Sequence, residues 1–244
     1  VVAGFTLIFL VMCISGLILW WPKSKQKKSQ KFSIRWGARW RRKNYDLHQV
    51  LGFYVLTFAL VFALTGLVWG YTWFRDAVYF ASTGGKDYQE YYTPVSDSTQ
   101  VATDSLPALD RAWLKMRALY PNAEWIEVHP PEFEHASIAT NANPDASTYW
   151  KMDYRYFDQY TMEELPVDHI WNRFPEASFG DKLARMNYDI HVGAIGGLAG
   201  KILAFCLSAI IASLPVTGCL IWWGRKNKKT KKAKPINKED AVMA

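Results

Sequence analysis

The sequence predicts a mainly α membrane protein: a transmembrane helix bundle, three spans of which lie within the chain, carrying a small α+β domain on its extracytoplasmic side. Three observations predict it. Residues 1–21, 49–74 and 202–224 contain no charged residue, and at about 1.5 Å rise per residue each run is long enough to cross a hydrocarbon core of roughly 30 Å. Basic charge is gathered beside these runs, with ten Lys or Arg and no Asp or Glu between Lys23 and Lys43, and seven more basic residues from Arg225 to Lys234. Residues 75–186 instead hold ten basic and eighteen acidic residues. Basic flanks stay in the cytoplasm, so the first span runs outside to inside, the second inside to outside and the third back in.

This gives the following division: a transmembrane helix over 1–22, a basic cytoplasmic connection over 23–47, a second helix over 48–74, and an extracytoplasmic domain over 75–186. A third helix with an outer extension follows over 187–224, then a basic cytoplasmic tail over 225–244. The chain opens at Val1-Val2, without Met and already inside an apolar run. An odd number of spans with an outside start leads us to expect a fourth span upstream of residue 1.

The formal charge of +7 and pI near 9.2 do not point to nucleic acid, because the basic excess sits beside the spans, where anionic lipid and topology account for it. Cys13, Cys206 and Cys219 all fall in apolar runs, so no disulfide framework is implied.

The first span ends Ser15-Gly16-Leu17-Ile18-Leu19-Trp20-Trp21-Pro22 and the third Thr217-Gly218-Cys219-Leu220-Ile221-Trp222-Trp223. Tryptophans at headgroup level mark membrane exits. The small pairs Ser15-Gly16, Thr65-Gly66 and Thr217-Gly218 let helices approach closely, which favours a bundle. Phe32, Ile34, Trp36 and Trp40 among the basic residues of 22–47 suit a short amphipathic segment on the inner leaflet or, equally, a solvated basic loop. Pro215 should bend the third span, with Ser213 or Thr217 answering the freed carbonyl of Ile211.

In the outer segment, Leu106, Leu109, Trp113, Met116 and Ala118 suit an amphipathic helix over 105–119, broken by Pro121-Asn122. Residues 124–128, 136–140, 148–152 and 154–157 read as short strands. The expected unit is a helix packed on a small antiparallel sheet.

Asn44-Tyr45-Asp46-Leu47-His48 recurs as Asn187-Tyr188-Asp189-Ile190-His191, with only Leu exchanged for Ile. Each copy stands at the entrance to an apolar run and is followed by glycines, a sign of internal duplication. Asp46 and Asp189 precede their histidines by two positions and so cannot face them on a helix. They read as helix caps or first-turn acids, with the Asn and Tyr completing the same cap.

The two entrances, the Gly196-Gly197-Leu198-Ala199-Gly200-Lys201 run and the Ser213-Leu214-Pro215-Val216-Thr217-Gly218 core of the last span resemble the PepSY-associated transmembrane family of bacterial inner-membrane proteins. Tyr156 to Leu165 resembles the closing hairpin of a PepSY domain, written aromatic, apolar, Asp, x, x, Thr, Gly, Glu, with Met162 where the pattern has Gly. The resemblance implies a bacterial inner-membrane location, four spans, a PepSY-like domain over 75–186 in the periplasm and, in some members, b-type haem and ferric-siderophore reduction.

A neutral imidazole among helices is a good haem ligand, so His48 and His191 are the candidate cofactor-binding residues and haem-iron ligands. By topology His48 lies at the cytoplasmic end of its span and His191 at the outer end of its own, which forbids one shared iron and implies two b-type haems in the full-length protein. The second ligand of each is expected upstream. A boundary histidine that caps a helix or bonds a headgroup is the bland reading of either residue. Gly52, one turn after His48, leaves room for a porphyrin edge or for helix packing.

His129 and His135 flank Pro130-Pro131-Glu132-Phe133-Glu134, a spacing that fits no established metal pattern and reads as a loop. His169 is expected to pack at the interface above the membrane. The sequence has no nucleophile elbow, phosphate-binding glycine loop, dinucleotide fingerprint or zinc-protease motif. Hydrolase and ATPase classes therefore have no support, and electrons would have to come from a quinone or another protein. The reading is a haem-bearing electron-transfer protein of the lipid membrane that reduces a ferric siderophore or similar acceptor. Its rival is a non-catalytic membrane module whose outer domain binds a partner or regulates a protease.

Overall fold

The computed structural model describes residues 1–21, 32–101 and 105–226. The start of the inner connection, 22–31, and the tail beyond Lys226 lie outside the described residues, so the amphipathic reading of the first and the tail assignment of the second fall there in part. The fold class is the one read from the sequence: three helices long and apolar enough to cross a membrane, and a small antiparallel sheet. The long helices are α1 (Val2–Trp20), α2 (Trp40–Gly70) and α6 (Gly197–Lys226), separated by α3 (Thr72–Thr83), α4 (Ala108–Leu119) and α5 (Phe179–His191). The strands are β1 (Trp125–Val128), β2 (Ile138–Asn143), β3 (Asp153–Phe157) and β4 (Glu164–Leu165). Two compact units emerge, one of Val1–Leu19 with Leu56–Ser208, the other of Trp20–Val55 with Ala209–Ala244.

In the first unit α1 lies against α2 where α2 carries Gly66 and Gly70. A Cβ on Gly70 would fall 2.6 Å from the Cβ of Ala3, the close approach that small residues allow between membrane helices. A capping box of Ser178 and Asp181 opens α5, and the Tyr79 hydroxyl of α3 donates to Asp181 Oδ1 at 2.6 Å. Gly180 then sits so close to α3 that a Cβ there would meet Thr83 Cγ2 at 2.3 Å.

The four strands form an antiparallel meander in the order β1-β2-β3-β4. Ala112 and Met116 of α4 pack on Ile138, Ala142 and Phe157, all almost wholly buried. Of the expected stripe, Met116 packs on the sheet, joined there by Ala108 and Ala112, while Leu106, Leu109 and Trp113 remain exposed. Small alanines bring helix and sheet close, a packing gain that the bulkier stripe could not give.

Residues 148–152 are not a strand. The backbone N–H groups of Tyr149 and Trp150 donate to the Asp189 carboxylate at 3.1 and 2.8 Å, so they are not available to a ladder. The fourth strand is Glu164–Leu165, paired back on Tyr156 and Phe157. The turn between β3 and β4 is organised by Asp158, which accepts from the backbone N–H of Tyr160, Thr161 and Asp97 at 2.8, 3.0 and 2.6 Å. Burial raises this carboxyl, but those bonds outweigh it and hold it below the usual carboxylate range.

Met162 in this turn has φ +62°, the one non-glycine residue with positive φ among the described residues. It stands where the hairpin pattern has glycine, which adopts that conformation without steric cost. Its side chain instead packs against the α4 and sheet core. Met162→Gly is accordingly expected to be more stable than Met162→Ala by about 1 kcal/mol, the reverse of the order in a helix or strand. Thermal unfolding of the two variants side by side would decide it, and an Ala variant as stable as the Gly variant would refute it.

His169 is not at an interface but inside the domain, 1% exposed and ringed by Tyr91, Tyr92 and Tyr156. Its Nδ1 accepts from the Trp171 N–H at 3.1 Å and its Nε2 lies 3.1 Å from the Tyr92 carbonyl. Both bonds are served by the neutral Nε2–H tautomer. Burial lowers its basicity, partly offset by the Tyr92 carbonyl and Asp168, with Arg185 adding to the lowering. A histidine held neutral this way contributes stability that is complete above its ordinary pKa near 6.5 and is lost as pH falls below it. The unfolding temperature should drop between pH 7.5 and 5, and His169→Gln should flatten that slope.

Candidate functional site

Each histidine phrase builds the same small constellation. His48 lies about two turns into α2, and Asn44, four residues earlier, shares its helix face. Both reach α6 within the second unit: Asn44 Nδ2 donates to the Thr217 carbonyl at 3.0 Å, and His48 Nδ1 lies 2.8 Å from Thr217 Oγ1. In the first unit Asn187 Nδ2 donates to the Thr65 carbonyl at 3.1 Å, and His191 Nδ1 lies 2.8 Å from Thr65 Oγ1. The glycine after each threonine faces the ring, with the imidazole Cε1 of His48 and of His191 3.5 Å from where a Cβ of Gly218 or Gly66 would stand.

The protonation of each imidazole is coupled to the threonine hydroxyl it meets. Thr217 Oγ1 donates to the Leu214 carbonyl at 2.9 Å and Thr65 Oγ1 to the Val61 carbonyl at 2.7 Å, each within its own helix. A hydroxyl has one proton. With that proton on a carbonyl the oxygen accepts from the histidine, Nδ1 carries the hydrogen and Nε2 keeps its lone pair; with it on Nδ1 the opposite tautomer results. Each ring also meets a backbone carbonyl, that of Leu214 for His48 and that of Phe62 for His191. Both rings are half-buried, and His191 is flanked by Phe62 and Trp69. An imidazole oriented through Nδ1 with a free Nε2 can donate that lone pair to a metal centre.

The sequence reading needs three corrections of detail. The aspartates are not caps. Asp46 is 2% exposed within α2 and accepts from Arg42 Nε at 2.9 Å and the Arg35 N–H at 3.3 Å. Asp189 is fully buried near the end of α5 and holds the Tyr149–Trp150 loop. Nor do the asparagines cap: they grip the facing threonine's carbonyl. Last, Ser213 and Thr217 do not answer the Ile211 carbonyl; the Ser213 hydroxyl donates to Ile210, and that of Thr217 lies nearest the carbonyls of Leu214 and Ser213.

His191 ends α5 rather than opening a membrane helix. The chain then turns through Gly193, at φ +76°, and a single 3-10 turn into α6. A Cβ on Gly193 would fall 2.4 Å from the Gly200 carbonyl oxygen, so this reversal depends on glycine at both places. Gly52 packs on Leu214. His129 and His135 have separate partners, Glu127 at 3.4 Å and Tyr160 at 3.3 Å. The paired function of Asn and His, four apart, and of the Thr-Gly pairs was missed in the sequence, although their repetition was the signal for it.

A polytopic membrane protein with a duplicated histidine site and a helix-on-sheet domain is the class that these observations define. The family model described as the PepSY-associated TM region matches residues 1–225, and the chain belongs to that family. No curated protein matches the chain.

Removing the carboxylate at residue 189 should loosen the α+β domain. Asp189→Ala leaves the N–H groups of Tyr149 and Trp150 without an acceptor, at roughly 1–3 kcal/mol for each buried donor. Asp189→Asn keeps one acceptor oxygen and should fall between. Hydrogen exchange at Tyr149 and Trp150 would report it, and unchanged protection in the alanine variant would contradict the assignment.

Proposed function

We propose that the protein is a haem-bearing inner-membrane electron-transfer protein, in which His48 and His191 would each hold a b-type haem. The observation that carries this reading is a repeated contact: each imidazole has its Nδ1 2.8 Å from a threonine hydroxyl on another helix, and with Nδ1–H as the donor its Nε2 lone pair is left for a ligand. A ligand histidine ordinarily has its other nitrogen fixed by such a partner. Bound haem would supply a reversible one-electron ferric/ferrous couple in a low-dielectric setting. The protein's own part is to hold each ring in one tautomer, and Asn44 and Asn187 clamp the helix pair that carries it.

The acceptor in this reading is a ferric siderophore or similar iron chelate, met by the α+β domain on the periplasmic side. Chelators with hard oxygen donors favour ferric over ferrous iron, so adding one electron loosens the metal. The donor is a quinone or another protein.

Purified protein should show Soret absorption and a pyridine haemochromogen spectrum. His48→Ala and His191→Ala should each lose about half of the haem, and Thr217→Val or Thr65→Val should weaken haem affinity at its own site by roughly 10- to 100-fold. Protein without haem, or haem content untouched by both histidine variants, would sink the reading in favour of a partner-binding module.

A further inference from the structure

Strand β2 is buried along its whole length, although α4 covers only one face of the sheet. The other face is roofed by the segment at Tyr91 and Thr93 and by Trp171, and between roof and sheet lies a cavity of about 440 Å³. That volume falls in the range of small-molecule sites. The rings of Trp125, Tyr149, Tyr154 and Trp171 line it.

Its polar groups are unevenly matched. Asn141, 1% exposed, donates from Nδ2 to Glu127 Oε2 at 3.0 Å, while its Oδ1 is buried with no partner among the described residues. The Ser137 hydroxyl, also lining the cavity and fully buried, is likewise without one. Both atoms are closed off from the cavity as well as from solvent, so the part that Asn141 plays at the wall is to hold Glu127 through Nδ2, which also lies 3.3 Å from His129 Nε2. The ionisable groups on the wall are Glu127, Glu132, His129 and the tyrosines; no Lys or Arg lines it. Aromatic rings and carboxylates together favour a cation, and the acidic excess of residues 75–186 draws one in.

We infer that this sheet-face cavity is a binding site for a protonated organic amine, whose charge is balanced by Glu127, held in place by Asn141, among the aromatic rings. The site lies wholly within the first unit and is independent of the haem reading. Anions and neutral isosteres of the same shape are selected against, because the first meet two carboxylates and the second leave them unpaired.

The test uses the full chain in detergent micelles, with tryptophan fluorescence and calorimetry as readouts and benzylammonium, benzyl alcohol and benzoate as probes. Benzylammonium should bind saturably, benzyl alcohol about tenfold more weakly or worse, and benzoate not at all, a tenfold ratio being what one charge-assisted contact provides. Asn141→Ala should weaken benzylammonium binding about tenfold. Glu127 is half exposed, so Glu127→Gln leaves the fold intact and should weaken it similarly even if the Asn141 variant does not fold. Absence of saturable binding, equal binding of the three probes, or parental affinity in Glu127→Gln would overturn the assignment. None of these readouts depends on haem, so failure here and failure of the electron-transfer reading are separable.

Discussion

A threonine hydroxyl in a membrane helix has a single proton and a carbonyl one turn back to receive it. Once Thr217 and Thr65 bond their own helices in this way, the only hydrogen left for the contact with His48 or His191 is the one on the imidazole. In that arrangement the protonated ring nitrogen is Nδ1, and the lone pair is at Nε2. The same contact draws a second helix in, because the asparagine one turn away reaches the carbonyl of that same threonine. Helix pairing and the placing of the imidazole thus meet at one threonine.

The α+β domain is organised by a related device with acids in place of hydroxyls. Asp158 gathers the backbone N–H groups of a turn, Asp189 those of the β2–β3 loop, and Asp153 the N–H of Phe174 at 2.7 Å together with the Arg173 guanidinium. Arg185, 2% exposed, does the converse, donating to the carbonyls of Ile170, Met152 and Asn172. Irregular segments held by buried charge in this manner satisfy their backbone without a ladder. This is why a sheet of four short strands can support a long connecting chain and a roofed cavity.

Membrane helices were legible because an uncharged run of twenty residues has few other uses, and the closing hairpin was legible from its Asp, Thr and Glu. The histidines stood out by repetition. What the sequence hid was tertiary. Residues 148–152 have strand composition, and only the approach of Asp189, some forty positions away, turns them into a loop. The α4 face was misassigned because Leu109 and Trp113 are larger than Ala112, and size does not reveal which stripe meets the sheet. His169 was read as interfacial because nothing local shows that three tyrosines close around it.

The two histidine sites differ from a local motif in the distance along the chain over which each is assembled. His48 waits for Thr217, 169 residues later, while His191 closes on Thr65, 126 residues earlier. During synthesis the first imidazole has its asparagine beside it but no anchor until α6 has been made. A chain that stops short of residue 217 has the second site intact and lacks the first. Completion of the His48 site therefore registers that α6 has been made and paired, so any centre loaded there reports chains that extend past Thr217.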